Sequence, residues 1–315
     1  MRFLSGIGVF LFAVFIIDKT ADGMQMPARA GKYLKIPAVS FSCGLLSAAL
    51  TQSSSAVNSI IAALRDKDGL DEKTCYFAVA GSNIGTTVTA YLAAMQNVTL
   101  SAFFSCIVFF ATLCAMIFKN KNVEKAAVAA SGFSIIFVSF SIIGRTVPEM
   151  VKLLDMGFLD AQNPFIPFGI SLLLTAVCQS SALVSVIVIA FANLGLLPAV
   201  NAFFMIMAAN LGTCSTVFLV SIGKSKKSLK VAFFNLIFNL AGVLLFTIFY
   251  YTGMLNWFLY INVAVDTKIA LFNTMFNAVC CFAVCPFIKF FTEKINTREK
   301  NRLAPEQRKA VKIYN

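Results

Sequence analysis

Thr51-Gln52-Ser53-Ser54-Ser55 is a polar run set in apolar sequence, and it returns 127 residues later as Gln179-Ser180-Ser181. Each copy is followed by Asn-[Ile/Leu]-Gly-Thr, at Asn83 to Thr86 and at Asn210 to Thr213. A polar cluster inside membrane-type sequence is costly, so its recurrence at one fixed spacing points to a site built from two halves of the chain. A transporter's substrate site has that form.

The rest of the composition agrees. Of 315 residues 59% are apolar and 33 are Phe, while there are 14 acids and no His. The mean hydropathy is +0.82. A soluble domain of this length could not hide so much apolar surface, which makes the chain a multispanning membrane protein. The nine cysteines (Cys43, Cys75, Cys106, Cys114, Cys178, Cys214, Cys280, Cys281 and Cys285) lie mostly in apolar segments without metal-ligand spacing, and read as small packing residues. The formal charge of +12 is concentrated, with eight Lys or Arg against three Glu from Lys289 onward. Positive charge beside a last membrane helix marks the cytoplasmic side rather than a nucleic-acid partner. The first apolar run has no evident cleavage site and is expected to be a retained helix.

Matches run from one end of a unit to the other. At an offset of 126, Ile16-Ile17, Thr20 and Met24 face Ile142-Ile143, Thr146 and Met150; at 127, Pro37, Phe41 and Leu45-Leu46 face Pro164, Phe168 and Leu172-Leu173. Gln, Asn, Pro and Ser are scarce in membrane segments, so in-register pairs of them indicate a duplication. Each unit reads as a helix (3 to 17; about 128 to 144), a Gln-Ser-Ser segment, and two helices (75 to 94 and 101 to 118; about 199 to 222 and 229 to 250). A last helix, about 268 to 290, stands outside the repeat. The expected division is 1–126 and 127–252 for the two units, 253–291 for the extra helix, and 292–315 for a basic cytoplasmic tail.

The Gln-Ser-Ser segment decides the topology. Its first arm, Pro37 to Leu50, is roughly 20 Å long at about 1.5 Å per residue, short of a bilayer core of about 30 Å. One tilted spanning helix over 37 to 64 is the alternative. Re-entry puts the loop at Lys119, Lys121 and Lys125, the loop at Lys224, Lys226, Lys227 and Lys230, and the basic tail on one face, as the positive-inside tendency favours. The uncharged loops at 95 to 100 and 193 to 198 then fall on the other. Three crossings per unit turn the second copy upside down and place the N-terminus outside. The expected fold is therefore an all-α integral membrane protein of two inverted repeats, each with a re-entrant helical hairpin, plus one C-terminal transmembrane helix. Trp257, Tyr250, Tyr251 and Tyr260 would lie at the outer interface. Asp18 to Lys35 and Arg65 to Lys73 read as solvated or interfacial loops, the former as a candidate amphipathic helix on the membrane.

The motifs Gln52-Ser53-Ser54-Ser55 with Gln179-Ser180-Ser181, and Gly81-Ser82-Asn83-Ile84-Gly85-Thr86-Thr87 with Ala209-Asn210-Leu211-Gly212-Thr213, carry a resemblance. Over about residues 4 to 290 the chain resembles the bacterial and animal sodium-dependent phosphate cotransporters. The resemblance implies Na⁺-coupled uptake of inorganic phosphate across the cell (inner) membrane by alternating access, the two hairpin tips meeting near the bilayer centre. It implies no cofactor beyond Na⁺ as coupling ion, and leaves a homo-oligomer open.

Elementary chemistry suits that reading. A second arm that begins at a tip presents unpaired N–H groups and a partial positive charge. Ser53, Ser54, Ser55, Ser180 and Ser181 can cap those ends and, with Gln52 and Gln179, bind a tetrahedral oxyanion without a buried Arg or Lys. Side-chain oxygens of Gln52, Gln179, Asn83, Thr86, Thr87, Asn210 and Thr213 are the candidates for Na⁺. Gly85 and Gly212 would let backbone approach or turn there. Some relatives place an Asp near this motif; here Asn83 and Asn210 have none beside them.

Taken singly, a Ser pair or Asn in a membrane helix is more often interhelical glue than a ligand. Duplication with Gln and with Asn-x-Gly-Thr shifts the balance. A second doubled motif, Lys-[Val/Ile]-Ala-x-Phe-Asn-x-x-Phe-Asn, occupies Lys230 to Asn239 and Lys268 to Asn277. The family pattern has His where this chain has Asn235 and Asn273, for which helix packing is expected over direct contact with ions. Another oxyanion, or proton coupling, is the alternative function. A serine enzyme is disfavoured by the lack of His, of Gly-x-Ser-x-Gly and of a suitably spaced Lys. A non-transporting sensor is disfavoured by the short tail.

Overall fold

The computed structural model describes residues 2–21, 33–67, 69–95, 98–118, 120–151, 163–288 and 292, and within them there is no strand. Most of the segment Asp18 to Lys35, and the basic tail beyond Thr292, lie outside the described residues.

The first unit contains α1 (Arg2–Ala21), α2 (Pro37–Thr51), α3 (Ser54–Asp66), α4 (Glu72–Gly85), α5 (Thr87–Ala94) and α6 (Val98–Phe118). The second contains α7 (Lys121–Val151), α8 (Phe165–Cys178), α9 (Ser181–Asn193), α10 (Ala199–Gly212), α11 (Cys214–Ser221) and α12 (Lys226–Tyr251). A four-residue turn of helix, α13 (Asn256–Leu259), leads to α14 (Val265–Val284). Four stretches are long and apolar enough to cross a membrane, at Val123–Glu149, Ala199–Ser221, Lys226–Tyr251 and Val265–Phe287. The described residues thus form an all-helical membrane protein, in which α2, α3, α8 and α9 are short apolar or amphipathic helices between the long ones.

Two helices expected to be continuous are broken. Residues 75 to 94 divide at Thr86 (φ −66°, ψ −19°) and 199 to 222 at Thr213 (φ −64°, ψ −18°). Both breaks fall within the polar Asn-x-Gly-Thr motifs, where neither Pro nor charge announces a break.

The core owes its geometry to close backbone approach. A Cβ on Gly44 would overlap the Ala78 carbonyl, one on Gly81 the Phe41 carbonyl, and one on Gly85 the Leu45 carbonyl, so α2 and α4 touch main chain to main chain. Small residues four apart permit such contact in a medium where hydrophobic collapse offers no help. The second unit makes the equivalent α8–α10 contact differently. Ser171 stands where Gly44 would be, and its hydroxyl donates to the Met205 carbonyl at 2.6 Å. Gly212 keeps the close approach, with a would-be Cβ only 2.7 Å from Thr175 Cβ.

Packing recurs crosswise. α3 lies on α11 and α9 on α5, so each hairpin-like pair leans on the short helix of the other unit. α12 packs on α3, α4 and α11, and α14 packs on α9, α10 and α5. Tyr76 stacks on Phe234 (4.2 Å, 11°) and Phe203 on Phe272 (4.1 Å, 8°), pairs related by the 127-residue offset on one side and by 38 on the other. Though outside the 127-residue repeat, α14 therefore serves the second unit as α12 serves the first.

On one side of the bundle, Asp66 at the end of α3 reaches the start of α12. Its carboxylate accepts bonds from the Ser225 hydroxyl and from the Ser225 N–H (2.8 Å), with Lys224 and Lys67 nearby, and these hold its pKa below the ordinary 3.8. A lowered folded-state pKa means stability that is present above the unfolded value and lost as pH falls through the folded one. Acidification below about pH 4 should therefore lower the melting temperature of the wild type slightly more than that of Asp66→Asn. Parallel acid melting curves for the two proteins would remove this contact from the balance.

Candidate functional site

The two polar runs adopt one conformation. α2 ends at Thr51, Gln52 turns into the left-handed region (φ 54°, ψ 25°), Ser53 is extended (φ −143°, ψ 98°), and α3 begins at Ser54. α8 ends at Cys178, Gln179 follows with φ 54° and ψ 26°, Ser180 with φ −141° and ψ 104°, and α9 begins at Ser181. Gln52 and Gln179 are the described non-glycine residues with positive φ. That conformation costs an L-residue roughly 1–2 kcal/mol, and both tips bear it at a glutamine.

Each arm is capped as its serines suggest. Ser53 Oγ accepts from Ala56 N–H and Ser180 Oγ from Leu183 N–H, both at 3.2 Å, a cap worth about 1 kcal/mol in each case. The N–H groups of Ser54 and Ser55, and of Ser181 and Ala182, precede the first intrahelical bonds, Val57 N–H to Ser53 O and Val184 N–H to Ser180 O. They form the partially positive ends of α3 and α9.

The tips meet. Ser55 Oγ donates to the Gln179 carbonyl across 3.2 Å and lies 3.2 Å from Ser53 Oγ. Ser55 has no counterpart, since its equivalent is Ala182, so the contact comes from one side only. The glutamines are likewise unequal. Gln179 is exposed, whereas Gln52 is 1% exposed and neither its Oε1 nor its Nε2 has a partner. Leaving a buried amide unpaired at both ends costs about 1–3 kcal/mol per group, unless a ligand completes it.

The candidate cation residues surround the helix breaks. Hydroxyls of Thr86, Thr87 and Thr213, all buried, donate to Ser82 O (2.8 Å), Ile84 O (2.8 Å) and Asn210 O (2.7 Å), so each oxygen retains acceptor capacity. Asn83 Nδ2 donates to Asn235 Oδ1 at 3.0 Å, and Asn210 Nδ2 to Asn273 Oδ1 at 3.0 Å. Gly85 and Gly212 act by close approach, not by turning, because neither has positive φ. Crosswise packing puts the helix after Thr213 against α3 and the helix after Thr86 against α9.

Asn235 and Asn273 tie helices together. Asn235 Oδ1 accepts from Asn58 (3.2 Å), Asn83 (3.0 Å) and Asn239 (3.3 Å), and Asn273 Oδ1 from Asn210 (3.0 Å) and Asn277 (3.1 Å). Asn58, with Ser82 donating to its Oδ1, was not singled out by sequence reasoning. Its counterpart is Ser185, so a search for repeated motifs passes it over.

Glu72 is the buried carboxylate among the described residues. It accepts from Tyr76 OH at 2.7 Å and pairs with Lys230 (3.6 Å) and Arg65 (3.8 Å). The chemistry at the tips and breaks is therefore neutral: N–H donors, hydroxyls and amide oxygens. Such a set can bind an oxyanion at helix ends and a weakly charged hard cation at the oxygens.

Residues 6–145 and 156–284 match the family model described as Na⁺/Pi-cotransporter, which places the molecule in the class of membrane transporters. The chain belongs to the Na⁺/Pi-cotransporter family. It is 24% identical over 265 residues to the uncharacterized protein YqeW of Bacillus subtilis (strain 168), covering 82% of this chain and 84% of that protein. No solved structure matches.

Proposed function

We propose that this chain is a secondary transporter that carries inorganic phosphate together with Na⁺ by alternating access, phosphate being held between the tips at Gln52-Ser53-Ser54-Ser55 and Gln179-Ser180-Ser181. The observation that carries the reading is the contact of two matched tips beside an unpartnered, buried Gln52 amide. Its Nε2 and the N–H groups of Ser54, Ser55, Ser181 and Ala182 are donors suited to phosphate oxygens. Na⁺ would take oxygens from Gln52, Gln179, Asn83, Thr86, Thr87, Asn210 and Thr213.

In this reading the units 1–126 and 127–252 are inverted repeats, the segment 253–291 holds the added helix, and α2–α3 and α8–α9 are re-entrant. Arms of 15, 13, 14 and 13 residues support re-entry, since at about 1.5 Å per residue none spans about 30 Å. Crosswise packing of α3 on α11 and α9 on α5 supports a twofold relation between the units. Loop charge supports 224 to 230 and the tail lying in the cytoplasm and the N-terminus outside.

Binding of radiolabelled phosphate to the purified protein should be strong in Na⁺ and absent in K⁺; equal binding in both would remove Na⁺ coupling. Arsenate should compete as a tetrahedral isostere. Single cysteines introduced in 193 to 198 should react with an impermeant reagent added outside, and those in 224 to 230 should not. The reverse pattern would invert the orientation.

A further inference from the structure

The doubled motif on α12 and α14 leaves two acceptors unused. Asn239 and Asn277 are both fully buried, and in each the Oδ1 has no hydrogen-bond partner. Amide orientation is fixed by the nitrogen. Asn239 Nδ2 donates to Asn235 O (3.0 Å) and Asn235 Oδ1 (3.3 Å), and lies 3.5 Å from Cys214 Sγ. Asn277 Nδ2 donates to Asn273 O (2.9 Å) and Asn273 Oδ1 (3.1 Å), and lies 3.5 Å from Asn210 Oδ1. Turning either amide over would set oxygen against oxygen, so both Oδ1 atoms are directed away from the Asn clusters.

The helices packed against these two carry matching orphans. Thr216 Oγ1 on α11, beside α12, and Thr89 Oγ1 on α5, beside α14, are also buried and unpartnered. Thr89 and Thr216 are related by the 127-residue offset, and Asn239 and Asn277 by 38. Two unrelated defects would not follow both internal correspondences. Asn239 and Asn277, whose Nδ2 donors are already committed, present only an acceptor oxygen, which repels an anion and suits a cation, and the Thr89 and Thr216 hydroxyls can turn a lone pair the same way. With no carboxylate in either cluster, the charge they can hold is small, which favours a monovalent ion over a divalent one.

We propose that Asn239 Oδ1 and Asn277 Oδ1 are ligands of two Na⁺ subsites, one in each half of the molecule and separate from the tips. This rests on the Na⁺-coupled reading above and extends it. The subsites adjoin Asn235 and Asn273, whose bonds to Asn83 and Asn210 lead to the helix breaks. Na⁺ occupancy there would brace α12 and α14 against the helices that support the tips, and so prepare the tips for phosphate.

The test is the melting temperature of the purified full chain against NaCl concentration, with choline chloride holding ionic strength constant and phosphate absent. It is paired with the Na⁺ dependence of phosphate uptake in proteoliposomes. Outer-shell partners of a metal ligand are worth about 10–100-fold in affinity, so Asn239→Ala and Asn277→Ala should each raise the Na⁺ midpoint at least about tenfold. The double variant should lose the Na⁺-induced stabilisation. Melting in choline should fall somewhat, because alanine also removes the Nδ2 bonds to Asn235 and Asn273, so the readout is the Na⁺-induced shift above the choline baseline of each variant. Unchanged Na⁺ midpoints in folded variants would overturn the proposal and leave these oxygens as packing or water sites. A wild type whose uptake ignores Na⁺ would instead overturn the symport reading itself. Where alanine prevents folding, Asn239→Ser and Asn277→Ser carry the same comparison under the same criterion.

Discussion

Gln52→Ala is expected to abolish Na⁺-driven phosphate uptake while the protein remains folded in the membrane. The side chain is buried with both polar ends unpartnered, so in the unliganded molecule it contributes little that alanine would remove. Loss of its unmet amide should even be neutral or slightly stabilising, since an unsatisfied buried group costs about 1–3 kcal/mol. Its left-handed backbone is the one local conflict, because alanine there bears the same cost of roughly 1–2 kcal/mol. Transport and stability should therefore separate: uptake lost, melting temperature close to wild type. Gln179→Ala should also abolish coupled uptake, though Gln179 is exposed and its environment differs. Wild-type rates in both variants would exclude a site shared between the tips.

The largest effect on stability is expected at the α2–α4 contact. Adding a methyl group at Gly81 would drive it into the Phe41 carbonyl, and at Gly44 into the Ala78 carbonyl. A backbone carbonyl cannot rotate aside as a flexible side chain can, so α2 must lift from α4. Overpacking of this kind costs typically 1–3 kcal/mol, and Gly81→Ala should fall at or above the top of that range. Because α2 leads directly into Gln52, the displacement should also move the first tip and reduce uptake in whatever fraction folds. Gly169, in α8, has nothing within 4 Å of a would-be Cβ and supplies the control. Gly169→Ala should melt with the wild type; equal melting of Gly81→Ala would refute the close contact.

Much of this was legible from the duplicated runs. Ser53 and Ser180 cap the second arms as serine chemistry suggests, and the arms are as short as their flanking residues imply. The left-handed glutamines were not legible, because that conformation is unfavourable for glutamine and only the surrounding helices impose it. Nor were the breaks at Thr86 and Thr213, where one residue with near-helical angles interrupts the chain without any Pro, inside a polar motif that a continuous helix could equally carry. Asn58 escaped because it occurs in one unit alone. The doubled Asn motif on α12 and α14 was visible as a pattern, but its meaning lies in contacts that cross between units, and sequence offsets do not carry those. Gly44 and Ser171 illustrate the limit further: equivalent positions hold the same helix pair by a bare backbone contact in one half and by a hydroxyl bond in the other.

The most direct measurement is uptake of radiolabelled phosphate into proteoliposomes under an inward Na⁺ gradient, compared with equal gradients of K⁺ or choline. Uptake that requires Na⁺, and vanishes in Gln52→Ala, is the expected result. Uptake that is the same in all three salts, or that survives Gln52→Ala undiminished, would contradict Na⁺-coupled phosphate transport through the paired tips.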